Sequence, residues 1–164
     1  MQMEHYILGA MWLFGFSGFF LFIPRQNRRE GVLALIMFQG IIWLCDMPSF
    51  YYGLISAPVR LLPKATDLAI TIDYIFYPVL FSIYYVHQKK YVHKRKKRNW
   101  TIFFSWVTIV TVFDILTERY TDLLEYGSLT RYGMVVYIAF LFYVSEVCCN
   151  WFYRQNSISQ ASGG

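Results

Sequence analysis

Five stretches of 18 to 22 residues, each almost wholly apolar, constrain this chain more than any motif does: residues 6–23, 32–52, 66–86, 100–117 and 132–153. A hydrocarbon layer roughly 30 Å thick is crossed by about 20 helical residues, because each adds about 1.5 Å and lipid offers no partner to an unpaired backbone amide. The pattern therefore predicts an all-α polytopic membrane protein, a bundle of five transmembrane helices with short connections. Composition agrees: of 164 residues, 57% are hydrophobic and 21% aromatic against 15% charged. A soluble domain of this size has too little interior to hide so much apolar surface. Three cysteines, an odd number, argue against a secreted disulfide scaffold. The chain reads as a single domain over residues 1–154 followed by a short polar tail, 155–164, expected to be disordered.

The first stretch is expected to be a retained helix rather than a cleaved leader, since Glu4 and His5 stand where a leader carries cations. Orientation follows from the placement of Lys and Arg, which hold short loops in the cytoplasm. The first and third connections and the tail carry eleven of the fifteen cations: Arg25, Arg28, Arg29, the seven within residues 89–98, and Arg154. Arg60, Lys64, Arg119 and Arg131 fall on the other side. The N-terminus is thus predicted outside and the C-terminus inside.

Acidic residues within the spans are the most informative feature, because a charge near the bilayer centre costs several kcal/mol unless it faces protein, water or a partner. Asp46 lies roughly 22 Å from the inner start of its span, Asp114 roughly 21 Å from the inner start of its own, and Asp73 roughly 10 Å below an outer start. All three are expected at one level in the outer half. Glu118 follows Asp114 by one turn. Thr101, Ser105, Thr108, Thr111, Asp114 and Glu118 recur at three- and four-residue steps, predicting a polar stripe turned away from lipid.

Two readings of this cluster stand side by side. In one, Asp46, Asp73, Asp114, Glu118 and Thr111 line an outward-side polar pocket or pathway in which a carboxylate binds a proton or a cation. In the other, the acids pair with Arg60, Lys64 or Arg119 and lock the helices together. An excess of acids on the outer side tilts the first reading toward cations. Glu146 stands alone in the inner half of the last span, either paired, protonated or a further step on a pathway. Pro48 and Pro78 each remove a helical hydrogen bond inside a predicted span. The apolar connection from Leu54 to Pro63 is expected to lie at the interface or to fold over the bundle, where it would cap the cluster.

The basic run Lys89, Lys90, Lys94, Arg95, Lys96, Lys97 and Arg98 adjoins two spans. There it reads as a cytoplasmic retention signal drawn to anionic lipid headgroups by about 1 kcal/mol per cation, not as a nucleic-acid patch. His87 and His93 sit among these cations, a poor setting for a metal that needs neutral imidazole. The chain has no H-E-x-x-H, G-x-S-x-G, P-loop or C-x-x-C pattern. An enzyme is disfavoured, and no cofactor, metal or catalytic residue is expected. A lipid-modifying activity built on Asp73, Asp114 and Glu118 is the remaining enzymatic reading. Cys148 and Cys149 lie near the predicted inner surface, where packing is favoured over acylation.

Ala57-Pro58-Val59-Arg60-Leu61-Leu62-Pro63-Lys64-Ala65-Thr66, followed by Asp73-Tyr74 and Tyr77-Pro78, resembles the P-V-R-x-F-P-K-A-T … E-Y … P signature of an uncharacterised five-span membrane-protein family of bacilli and clostridia. The stretch from Ile115 to Tyr126, with Glu118-Arg119-Tyr120-Thr121, is similar to that family's I-I-E-K-Y-T-x-L-I-K-Y segment. Asp73 stands where Glu is usual, Arg119 where Lys is usual and Glu125 where a base is usual. The resemblance implies a bacterial plasma membrane location and five helices, and no activity. Five helices leave a lone subunit little room for a wide pathway, so a homo-oligomer or another membrane protein is expected as partner.

Overall fold

A computed structural model of the chain describes residues 2–56, 72–95, 99–121, 125–126 and 130–162. Five α-helices carry the fold among these residues: α1 Gln2–Phe22, α2 Arg28–Tyr51, α3 Tyr77–Arg95, α4 Trp100–Tyr120 and α5 Arg131–Ser162. A two-residue antiparallel pairing of β1 Ile55–Ser56 with β2 Glu125–Tyr126 ties the end of α2 to the connection between α4 and α5. Three helical stretches are long and apolar enough to cross a membrane, Arg25–Tyr51, Trp100–Tyr120 and Tyr132–Arg154, and a shorter apolar helix covers Tyr6–Phe22.

The third helix sits at the centre. Every side chain from 76 to 86 is buried, which fits a segment hydrophobic on all sides rather than along one stripe. α2 packs along α3 and α5, α4 along α5 and α3, and α1 against α3 and the turn that leads into it. On α2 the buried positions Gly31, Ala34, Phe38, Ile42, Asp46 and Ser49 recur near the 3.6-residue period, so one face meets the bundle. The opposite surfaces expose Leu13 and Leu21 on α1, Leu44 on α2, Phe104 on α4 and Val136 on α5. Apolar exposure of this kind on four helices suits lipid contact and not water.

Local sequence explains where the helices begin and end. Asn99 caps α4, its Oδ1 accepting from the Thr101 amide at 3.0 Å. Near the end of α2, Pro48 has no amide hydrogen to give, and the Ser49 hydroxyl donates to the Cys45 carbonyl at 2.8 Å. Gly53, at φ 66°, occupies the left-handed region that lets the chain turn off the helix toward β1. A π-helical turn, Ile72–Phe76, precedes α3. Pro78 explains it, because its ring crowds the carbonyl four residues earlier and a wider turn relieves the clash. Pro78 therefore marks the junction of two helix types, not a break inside one.

Two helices run well past their expected C-terminal ends. α3 runs past residue 86 as far as Arg95, so the first part of the basic run is helix; Lys, Arg and Gln are good helix formers and no Gly or Pro interrupts them. Likewise α5 continues to Ser162, through residues read from sequence as a disordered tail. The Pro58 to Thr66 motif lies outside the described residues, as do Lys96, Lys97 and Arg98.

Candidate functional site

The site begins with α4, whose buried face comprises Phe103, Val107, Val110, Thr111, Asp114 and Thr117. Asp114 is 1% exposed, and the Tyr77 hydroxyl of α3 donates to its Oδ1. Its Oδ2 is buried without a hydrogen-bond partner, as is Oγ1 of Thr111 one turn earlier. Across the bundle the Tyr137 hydroxyl of α5 donates to Asp46 Oδ1 of α2. Asp46 is also buried. Four helices thus each contribute one member to two Tyr–Asp pairs.

A cavity of about 30 Å³ joins the pairs, with Asp46, Tyr77 and Tyr137 in a wall otherwise built from apolar side chains such as Ile42, Val110 and Met134. A water molecule needs about 10–15 Å³ of such space, so one or two fit. Phe50 and Ile55 close one end and Phe38 and Phe142 the other. Ile55 belongs to β1, so that strand covers the cavity. That is the capping role expected of the Leu54 to Pro63 connection, for the part of it that is described.

Asp114 and Thr111 lie one turn apart on the buried face of α4, and Asp46 lies on the buried face of α2. Glu118 is half-buried one turn beyond Asp114, and Arg119 is exposed. Arg119 follows Asp114 by five residues, about 140° around the helix, which turns it away from the cavity. Asp73 lies in the π turn and Lys94 and Arg95 in α3, with side chains outside the description, and Arg60 and Lys64 fall outside the described residues. Among the described residues, tyrosine hydroxyls donate to Asp46 and Asp114 in the hydrogen bonds described.

The polar stripe on α4 requires a correction. Thr101, Ser105 and Thr108 are exposed, while Thr111 and Asp114 are buried. Steps averaging 3.4 residues lag the 3.6 of an α-helix, so the row drifts by about 20° per step and crosses from the outer surface to the core. Thr108 instead donates to the Phe104 carbonyl at 2.8 Å, satisfying its hydroxyl within the helix.

At the far end, Lys89 Nζ lies 2.7 Å from Glu30 Oε1 and 3.9 Å from the Tyr153 ring centroid, joining α3 to α2 and α5. Lys90 is exposed beside it. Both partners of the ion pair keep partial solvent contact, and exposed pairs contribute about 0–1 kcal/mol. Lys89→Ala is accordingly expected to lower stability by no more than about 1 kcal/mol, measured by reversible unfolding in mixed micelles. Cys149 is fully buried, in keeping with packing.

The tyrosines are the residues that sequence reasoning missed. A buried Tyr hydroxyl usually needs a partner, which marks a span rich in Tyr as a source of donors, but no spacing rule says which helix supplies the acceptor. Comparison with protein-family models, curated proteins and solved structures finds no match to this chain.

Proposed function

We propose that the chain is a multi-pass protein of a bacterial plasma membrane, five helices with the N-terminus outside and the C-terminus inside, that handles protons through Asp46 and Asp114 as a channel or transporter component. The supporting observation is Asp114 itself. Its carboxyl is enclosed, one oxygen takes a hydrogen bond from Tyr77, and the other faces no donor among the described residues. An ionised carboxylate left this way is costly, and a bound proton removes the charge. A metal cation needs about six oxygens, more than the one carboxyl and two phenols in the cavity wall offer. The basic run, at the opposite end, meets anionic lipid headgroups on the cytoplasmic side, and a second copy or another membrane protein completes any wider pathway.

The test combines two readouts on protein reconstituted in vesicles. Under an imposed pH gradient, Asp114→Asn and Asp46→Asn are each expected to reduce proton flux at least tenfold. Infrared spectra should show a protonated-carboxyl band in the wild type that Asp114→Asn or Asp46→Asn deletes. Absence of both the flux and the band removes the proposal.

One observation favours a second reading: the Tyr–Asp bonds each join two different helices, α3 to α4 and α5 to α2. In a non-transporting sensor or assembly subunit they would be structural ties. The Asn variants would then lose thermal stability while vesicle flux stayed at the wild-type level.

A further inference from the structure

A groove of about 430 Å³ opens between α1 and α2, with Phe16, Phe19 and Phe20 of α1, Val32 and Ile36 of α2 and Val79 of α3 in its wall. It shares no lining residue with the cavity. Its volume falls within the roughly 300–1,000 Å³ of small-molecule sites, and Phe16, Phe20, Val32 and Ile36 are all exposed. One end of this apolar surface is charged. Arg28 begins α2 one turn before Val32, and its guanidinium lies over the Phe20 ring, 5.1 Å from the centroid. Phe20 is thus both groove wall and platform for the cation. Arg28 Nε is buried with no hydrogen-bond partner, and a charged donor hidden from water without an acceptor is costly. Glu30, two residues on, does not serve it. That step is about 200° around the helix, and Glu30 Oε1 is held by Lys89 Nζ of α3 at 2.7 Å. Arg25 and Arg29, both exposed, flank Arg28. Three cations within five residues at the start of a helix also oppose its dipole.

We propose that this groove binds one anionic phospholipid, with an acyl chain along Phe16, Phe20, Val32 and Ile36 and the phosphate at Arg28. The inference rests on the reading of the chain as membrane-spanning and is independent of the proton reading of Asp46 and Asp114. A phospholipid matches both halves of the site. Its chain covers exposed apolar side chains, and its phosphate brings the acceptor and the opposite charge that the start of α2 calls for, meeting the planar guanidinium fork in matching geometry. An apolar helix of a second copy covers the groove and offers no anion; inorganic phosphate offers the anion and covers no groove. Basic pockets between membrane helices collect anionic headgroups in this way. Arg28 precedes Asp46 by eighteen residues, about 27 Å along α2, so the lipid acts at a place separate from the Tyr–Asp pairs, where it holds α1 against α2.

The test places the full chain in vesicles carrying a trace of phosphatidylglycerol or phosphatidylcholine with a photoactivatable diazirine in one acyl chain, and maps the labelled residues by peptide mass spectrometry. Phosphatidylglycerol is expected to label Phe16 to Phe20 and Val32 to Ile36 about tenfold more than phosphatidylcholine does, the scale of a hydrogen bond to a charged group. This contrast needs no variant. Arg28→Gln should bring labelling down to the phosphatidylcholine level, while Lys90→Gln, exposed in the basic run, should leave it unchanged. Equal labelling by the two lipids, or equal losses in the two variants, overturns the site. A second readout is thermal: in neutral detergent, phosphatidylglycerol should raise the melting temperature of the wild type by mass action, and neither phosphatidylcholine nor inorganic phosphate should do so. A rise of the same size with inorganic phosphate assigns the effect to a free anion and overturns the lipid. Cross-links between two copies through the groove, in place of lipid labelling, give the groove to a second chain and likewise overturn it. Labelling of the exposed faces of α4 and α5 with the groove bare sinks this site alone, whereas a chain labelled nowhere by either lipid sinks the membrane reading itself.

Discussion

Tyr77→Phe is expected to lower the stability of the folded protein by about 1–3 kcal/mol. The hydroxyl supplies the hydrogen bond to Asp114 Oδ1, and Oδ2 has no partner. Removing it leaves a buried carboxyl with no donor among the described residues. Replacing the carboxyl as well changes the sign of the second step, because two apolar groups of similar shape need no hydrogen bonds. Asp114→Leu introduced into the Tyr77→Phe background should therefore cost little or restore part of the loss. The coupling between the two positions, from a double-mutant cycle measured by reversible unfolding in mixed micelles, is expected at about 1–3 kcal/mol. A Tyr77→Phe protein within about 0.5 kcal/mol of wild type would show that Asp114 is served by another donor.

The second large effect concerns α1 and has an internal control. A methyl group built on Gly15 would overlap Ile75 Cγ2, a branched side chain of the π turn with little freedom to swing away. On Gly9 of the same helix nothing lies within 4 Å. Both substitutions to Ala improve helix propensity by about 0.5–1 kcal/mol. Forcing atoms into a filled contact costs about 1–3 kcal/mol, so at Gly15 the clash wins. Gly15→Ala should lower the melting temperature in detergent and loosen α1 from α3, whereas Gly9→Ala should leave it unchanged or raise it. Equal effects at the two positions would mean that α1 does not approach the π turn this closely.

Both predictions depend on contacts between residues far apart in sequence, and that is the boundary of what could be read from the chain alone. Helix class, the C-terminal end of α2 and the start of α4 were legible, because each follows from residue type and local pattern. The stripe from Thr101 to Glu118 was legible only in part. Its period is close to that of a helix without matching it, and the small mismatch accumulates until three of its members face outward. The basic residues after position 86 carry the charge typical of a loop, but nothing in them stops a helix, and α3 continues to Arg95.

What the amino-acid order determined by itself is the helical class and which helices carry acids within apolar stretches, since hydropathy and periodicity are local quantities. Which donors meet those acids was decided by tertiary packing. A helix carries several faces, and only the neighbours it acquires select the one turned inward. Packing placed Tyr77 and Tyr137 against Asp114 and Asp46 and brought Tyr84 to Glu146, because tyrosine hydroxyls donate to buried carboxyls without bringing a second charge into the core.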